Sequence, residues 1–345
     1  MAISFNVGNK TIGTGHPVFV IAEIGYNFNT LAQARESIDA AVECGVDAIK
    51  FQTFRAETIT TRSCTFPAEA GGVNQFDEFK RYELDEAAHR ELFAYAATKG
   101  MLAFSSPSHY DDAALLDRLG VPAFKLGSDD LTNLPFLDHV ARLGKPLIFS
   151  TGMGSLTEVV EAYETVAATG KRDVAILHCL SNYPVHDLTH LNLRAISLFR
   201  TLFDVQVGYS DHTVGVTAAL GAVALGATVI EKHFTLDKNM DAPDAFFSAD
   251  PAEMKALVSG IRELEVAMGE PVKRPAPSEL EMRTETRKSV VARRKIAAGE
   301  RITEDKLIIK RPGHGVPPKA AHLLVGRCAK SDIAPDEVIS WDMVN

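Results

Sequence analysis

Four cysteines and one tryptophan are all that 345 residues contain of those types, and aromatic side chains make up only 8% of the chain. Cys44, Cys64, Cys179 and Cys328 are scattered, with none of the paired spacing of a zinc knuckle or a disulfide framework, so a reducing compartment is expected. The first ten residues lack the basic start and long apolar centre of a secretory leader, and a cytoplasmic location is expected. Positive charge is scarce as well. Lys and Arg number 36 against 45 Asp and Glu, for a net charge of -9, and no basic stripe interleaved with aromatics is present, which disfavours nucleic acid as a partner. One uncharged run, 214–230, reaches the lower limit of a membrane span. Gly215, Gly221 and Gly226 interrupt it and histidine-bearing segments flank it, so a buried helix followed by a strand is expected there, and no membrane association.

What the chain does have is alternation. Short apolar runs recur at 18–24, 48–51, 102–105, 123–126, 147–149, 174–177, 205–209 and 228–234. Each is bounded by polar residues or glycine, as suits a strand buried on both faces. Helical periodicity fills 31–44, 87–99, 111–119, 134–143, 156–169, 193–203, 216–225 and 252–268. Eight strand-helix steps predict an α/β chain folded as a (β/α)8 barrel over residues 1–270. After Gly269 the composition changes. Pro271, Pro275 and Pro277 among charged residues predict a solvated linker over 271–285. Val/Ile runs at 289–292, 307–310 and 337–341, separated by Gly, Pro and Asp turns, predict a small β-rich domain over 286–345.

In a parallel barrel the working groups project from the carboxyl ends of the strands. Those ends carry Glu23 and Asn27, Lys50 and Gln52, Ser105 and Ser106, then Lys125, Ser128 and Asp130. Ser150 and Thr151, Ser181 and Tyr183, Ser210 and His212, and Glu231 and His233 complete the circuit. His212 and His233 lie one strand-helix-strand step apart, so both imidazoles would emerge at one end of neighbouring strands and begin a divalent-metal site. Two lysines among hydroxyls describe an anion cradle, with Ser150-Thr151-Gly152 leading into a helix N-terminus. Metal and anion sites on one rim imply chemistry on a phosphorylated small molecule. Plainer readings exist for several of these residues. His178 reads as structural, and Glu231, two residues before His233 on the same face, reads as an orienter. Lys50 and Lys125 would be poor interior neighbours without an anion between them. Arg311 alone reads as a surface arginine before a Pro-Gly turn.

Taken together, Ala22-Glu23-Ile24-Gly25, Lys50-Phe51-Gln52-Thr53, residues 125–128, Ser150-Thr151-Gly152-Met153, His178-Cys179, residues 208–213, residues 231–235 and Lys310-Arg311-Pro312-Gly313 resemble the sialic acid synthase family. The order and spacing match across barrel and tail. The resemblance implies a transferase-type condensation of phosphoenolpyruvate with a hexosamine-derived aldehyde sugar and water, releasing phosphate and forming a nonulosonic acid. An N-acetylneuraminate-type synthase using an N-acetylmannosamine-type sugar is the leading expectation. A legionaminic or pseudaminic acid synthase using a 2,4-diacetamido-trideoxyhexose is the alternative. The resemblance also implies that the tail is an antifreeze-like (SAF) domain reaching over the partner's site in a domain-swapped homodimer.

Carried over position by position, the family pattern makes His212 and His233 ligands of Mn2+, or of Mg2+ or Co2+. It puts Lys50, Ser106, Lys125, Ser128, Ser150, Ser181 and Ser210 around phosphoenolpyruvate, and Glu23, Lys50 and Asp130 in catalysis. Gln52, Asn74, Tyr183, Asp244 and Arg311 fall on the sugar side, Arg311 being supplied by the neighbouring subunit. The chain departs from the family pattern in three places. Phe28 stands where a His is usual, Asp130 stands where Glu is usual, and an apolar Ala-Phe-Phe-Ser follows Asp244, resembling the pseudaminic branch. Two readings come from other classes: a non-catalytic sugar-binding protein, and an aldolase-type enzyme for a phosphorylated aldose. The latter calls for a second phosphate cradle, for which the sequence offers no candidate.

Overall fold

The computed structural model describes residues 3–66 and 72–345. The chain divides into two units, Met1–Gly269 and Glu270–Asn345. In the first, β1 (Phe5–Val7) and β2 (Lys10–Ile12) form an antiparallel hairpin. There follow β3 (Phe19–Gly25), α1 (Leu31–Cys44), β4 (Ala48–Thr53), α2 (Ala56–Ile59), α3 (Gln75–Tyr82), α4 (Glu86–Thr98), β5 (Leu102–Pro107) and α5 (Tyr110–Arg118). The series continues with β6 (Phe124–Leu126), α6 (Leu134–Arg142), β7 (Leu147–Ser150), α7 (Leu156–Ala168), β8 (Val174–Cys179), α8 (Ala195–Leu202), β9 (Gln206–Asp211), α9 (Thr217–Ala224), β10 (Val229–His233) and α10 (Pro251–Met268). The eight expected strands and eight expected helices are all present. Strands β3 to β10 make one parallel sheet in the order β5-β4-β3-β10-β9-β8-β7-β6. Its edges, β5 and β6, lie side by side without a hydrogen-bonded ladder, so the sheet curls into a TIM-type barrel with one seam.

Local sequence explains where these elements begin. Thr30 caps α1 and Gly45 ends it at φ 77°, a left-handed conformation that favours glycine. Reciprocal capping boxes, Ser155 with Glu158 and Asp250 with Glu253, start α7 and α10. The uncharged run 214–230 becomes α9 and the start of β10, and no helix among the described residues is long and apolar enough to cross a membrane. The four cysteines are free.

The β1–β2 hairpin was not foreseen in the sequence, and it tells the two ends of the barrel apart. Phe5, Val7 and Ile12 join the main core, the side-chain amide of Gln206 at the start of β9 donates to the Ile3 carbonyl, and Lys10 reaches Asp47 just before β4. The hairpin therefore packs on the amino ends of the strands. At the other end, the register of β3 against β4 slips between Glu23 and Gly25. Gly25 sits at φ 49°, where an added Cβ would come within 2.8 Å of Glu23 Oε1 and 3.1 Å of Gln52 Nε2. Only glycine allows that irregularity, which aims Glu23.

In the second unit, α11 (Leu280–Thr286) occupies part of the segment expected to be a linker. β11 (Ser289–Ala292) and β12 (Leu307–Lys310) pair antiparallel over a core that includes Val290, Ile296, Ile302 and Ile339. The strand expected over 337–341 does not form. Val338 bridges Val291, Ile339 bonds to both Val290 and Val316, and the chain then enters a 3-10 turn at Trp341–Met343, so no continuous ladder develops.

Candidate active site

Parallel pairing brings the rim residues together. Glu23 is in register with Lys50 on one side and with His233 on the other, and Ser210 is in register with Glu231. Because alternate residues of a strand face opposite sides, Ser210, Glu231 and His233 share the inner face. Lys50 Nζ contacts the Glu23 carboxylate, donates to Ser106 Oγ at 3.1 Å and lies 4.0 Å from Glu231 Oε2. Lys125 Nζ donates to Ser150 Oγ at 2.7 Å and to the Leu126 carbonyl at 2.8 Å, and stands 3.7 Å from Glu231 Oε1. Glu231 thus sits between the two lysines and accepts a bond from Ser210 Oγ at 3.0 Å. Gln52 Nε2 donates to Glu23 Oε1 at 3.1 Å.

All four charged groups are buried, and their acidities separate. Burial, reinforced by the charge of Glu231, pushes Glu23 up to about 7 against the pull of Lys50. Burial acts the same way on Glu231, but Lys125 and Lys50 outweigh it and hold that carboxyl low. Lys125 is lowered, chiefly by burial, whereas Glu23 and Glu231 overcome burial at Lys50 and raise it. Two carboxyls so differently tuned in one cluster suit opposite proton roles.

Beside the lysines is a cluster of hydroxyls. The Gly152 amide donates to Ser128 Oγ at 2.9 Å, and a Cβ on Gly152 would collide with the hydroxyls of Ser128 and Ser181 and come within 3.2 Å of Cys179 Sγ. Gly152 is required because three side chains converge on its α-carbon.

The two imidazoles meet as expected, their ring centroids 5.2 Å apart. His212 Nδ1 donates to the Leu180 carbonyl at 2.9 Å, which makes Nε2 the lone-pair nitrogen of the neutral ring. Burial opposes charge on His212, yet the Cys179 sulfur, the Leu180 carbonyl and Glu231 raise its pKa. His233 is held well below the usual range by burial, by His212 and by the lysines. Its Nδ1 is buried with no hydrogen-bond partner among the described residues, and Asp244 Oδ2 lies 3.5 Å away. A neutral imidazole with an unpaired buried nitrogen beside a second ring of fixed tautomer fits a divalent cation. Among the described residues no group of three or more His, Cys, Asp or Glu gathers for a metal, so the two rings would leave positions open for oxygen ligands. Tyr183 covers the pair, with its ring centroid 4.2 Å from that of His212, and Phe247 lies 5.2 Å from His233.

Two candidates of the barrel, Asn74 and Asp130, are engaged outside this cluster. Asn74 caps α3, accepting from the Asp77 amide at 3.1 Å and donating to the Arg62 carbonyl at 2.9 Å, so both ends of its amide are used locally. Asp130 accepts from Asn133 Nδ2 at 3.0 Å and is pushed up to about 6 by burial and by Asp129. Arg311 is exposed on the second unit, directly after β12. His178, read as structural, donates Nε2–H to the Leu191 carbonyl at 2.7 Å. The place of Glu231 between the two lysines was not read from the sequence, although its inward register with Ser210 carried the signal.

A parallel barrel that gathers lysines, carboxyls and imidazoles at its carboxyl rim, followed by a separate β unit, defines a class of two-unit barrel proteins. Residues 37–273 match the NeuB family and residues 287–345 match the SAF domain, so the chain belongs to the NeuB, or sialic acid synthase, family. It is 42% identical to an uncharacterised protein of Methanocaldococcus jannaschii over 97% of both chains. With N,N'-diacetyllegionaminic acid synthase of Campylobacter jejuni it shares 39% identity, over 93% of this chain and 98% of the relative. N-acetylneuraminate-9-phosphate synthase of Homo sapiens is 36% identical, over 97% and 95%. Among solved structures, N-acetylneuraminic acid synthetase of Leptospira borgpetersenii in complex with citrate superposes with a TM-score of 0.75 at 31% identity, covering 82% of this chain and 95% of that one.

Proposed function

We propose that this protein is a nonulosonic acid synthase that condenses phosphoenolpyruvate with an acetamido aldehyde sugar and water, releasing phosphate. The observation that carries the reading is the buried Lys50–Glu23–Glu231–Lys125 cluster beside the paired imidazoles of His212 and His233. His212 and His233 would hold a divalent cation such as Mn2+, which supplies Lewis-acid polarisation of the aldehyde oxygen. The remaining work falls to the chain's own groups. Lys50, Lys125 and the hydroxyls of Ser106, Ser128, Ser150, Ser181 and Ser210 bind the phosphate and carboxylate of phosphoenolpyruvate, and Glu231 keeps the lysines charged and oriented. Before an anion enters, two lysines balance two carboxylates. An anion added to that balance favours protonation of one carboxyl, and Glu23, already at about 7, is the one that takes the proton.

As C3 of the enol attacks the aldehyde carbon, negative charge grows on the aldehyde oxygen and positive character grows on C2. Water then adds to C2 and the bond from C2 to the phosphate oxygen breaks. One proton of that water ends on the former aldehyde oxygen and the other on the departing phosphate. Glu23 is suited to take and return such a proton near neutral pH. Gln52 and Lys50 hold its carboxyl in place beforehand, and the barrel rim keeps the cluster rigid.

The sugar in this reading is N-acetylmannosamine-like, recognised by Gln52, Tyr183 and Asp244, with Asn74 and Arg311 as further contributors, while Asp130 belongs with Glu23 and Lys50 on the catalytic side. Arg311 would come from the second copy of a swapped homodimer, and the enzyme would work in the cytoplasm, where phosphoenolpyruvate is made. One observation favours a second sugar. Phe246 is 58% exposed after Asp244, edge-on to Phe247, and an apolar face there suits the methyl group of a 2,4-diacetamido-trideoxyhexose. The test is phosphate release from phosphoenolpyruvate with Mn2+ across N-acetylmannosamine, 2,4-diacetamido-trideoxyhexoses and arabinose 5-phosphate, with products identified by mass. Release with an acetamido sugar supports the reading and names the branch. Release with arabinose 5-phosphate alone, or with none of them, overturns it.

A further inference from the structure

His212, directly after β9, and His233, at the end of β10, lie on one face of the sheet, and a second set of charges lies on the other. Ser210 and Glu231 bond to each other inside the barrel, so Asp211 and Lys232, the next residues along, point outward. They are nevertheless 1% and 2% exposed. Lys232 Nζ donates to Asp211 Oδ2 at 2.8 Å and to the Thr213 carbonyl at 2.7 Å. Asp211 Oδ1 in turn accepts from the Thr213 amide at 2.9 Å and from Thr213 Oγ1 at 2.8 Å. Every one of these bonds ends on a residue flanking an imidazole: Asp211 and Thr213 bracket His212, and Lys232 directly precedes His233.

We infer that Asp211 and Lys232 are positioning residues, a buried clamp that fixes the backbone on either side of His212 relative to His233 and so sets the distance between the two cation-holding rings. The inference rests on the proposed function in taking His212 and His233 as the holders of a divalent cation. A buried ion pair is an inefficient source of stability, since desolvation opposes the attraction and apolar residues of similar volume often serve as well. What this pair supplies is geometry. Its four bonds close the turn 211–213 and tie it across to β10, while the Leu180 carbonyl fixes the His212 ring from the opposite side and the Val185 amide bonds the His212 carbonyl at 3.1 Å. A loosened turn would move one ring and leave the anion cradle of Lys50 and Lys125 in place.

The test is Mn2+ binding to metal-free full-length protein, followed by electron paramagnetic resonance, with phosphoenolpyruvate affinity and melting temperature measured on the same samples. Lys232→Met and Asp211→Asn should each weaken Mn2+ binding by about 10- to 100-fold, as losses of groups that orient ligands do, with phosphoenolpyruvate affinity unchanged. The double variant, which leaves no lone buried charge, should regain melting temperature lost by the single variants while Mn2+ affinity stays low. If the single variants fail to fold, Thr213→Val removes one bond of the clamp and should weaken Mn2+ by about fivefold. Unchanged Mn2+ affinity in the folded variants, or recovery of both stability and affinity in the double variant, would overturn the clamp. His212→Ala separates the two levels of argument. If it binds Mn2+ as the parent does, the metal reading fails and the clamp with it; if it loses Mn2+ while the clamp variants keep theirs, only the clamp fails.

Discussion

The barrel carries an ionic cluster at each end, and the two are built on opposite principles. At the amino end, Asp47 accepts from Lys10 at 2.9 Å, from the Val20 amide at 2.9 Å and from Arg262 at 3.2 Å, tying the hairpin, β3 and α10 together. Lys10 is 48% exposed, so that end gains its bonds while leaving a charge in water. At the carboxyl end, Lys50, Lys125, Glu23 and Glu231 are all buried, and both Glu231 Oε2 and His233 Nδ1 are without a hydrogen-bond partner among the described residues. The amino end satisfies its polar groups within the protein and contributes stability. The carboxyl end leaves polar atoms unpaired and shifts acidities in both directions, which is the signature of a site that works on something else.

That contrast can be broken or sharpened by mutation. Glu23→Gln should lower kcat by about 10²- to 10⁴-fold, the usual loss with a general acid-base group, with the barrel still folded by circular dichroism. His212→Ala should reduce metal-dependent phosphate release by more than about 100-fold while the melting temperature of the metal-free protein holds, since removing a ligand should cost more than removing a group that orients one. Turnover at the parental rate would remove His212 from the site.

Asp130→Asn addresses pH. Its carboxyl is raised from 3.8 to about 6, so the folded state binds protons more readily than the unfolded state. Stability from that group is therefore complete below about pH 4 and is lost as pH rises through 6. The variant should be more stable than the parent by about 3 kcal/mol at pH 8 and nearly equal to it at pH 4, read from denaturant melts at both pH values. At the other end of the barrel, Asp47→Asn should cost about 1–2 kcal/mol of stability and leave kcat intact. A fall in kcat without a fall in stability would erase the distinction between the two ends. The smallest expected effect is at Arg311. Arg311→Ala should raise the sugar KM by about tenfold with kcat little changed, equivalent to about 1.4 kcal/mol. If the protein forms the proposed dimer, mixing Arg311→Ala with His212→Ala should return the sugar KM to the parental value when Arg311 acts across subunits, and leave it raised when Arg311 acts within its own chain.

Much of this molecule was legible in its sequence because the signals are local. Apolar runs and helical periodicity located eight strands and eight helices, and the composition shift after Gly269 marked the second unit. The same local logic stopped short at 337–341, where successive residues bond to different neighbours and no continuous strand forms. Residue types at strand ends also named most of the rim, since a parallel barrel delivers every strand's carboxyl end to one face.

By itself, then, the sequence determined the order of elements, their buried faces and the set of groups available to the rim. Tertiary structure decided which of those groups meet. Glu231 lies between Lys50 and Lys125 because β10 is in register with both β9 and β3 and the sheet curls, a relation among residues more than a hundred positions apart. Asn74 is drawn into a helix cap, and Asp130 accepts a bond from Asn133. Periodicity is a property of neighbours along the chain, whereas the pairing of buried charges depends on register, curvature and burial, which exist only once the barrel has closed.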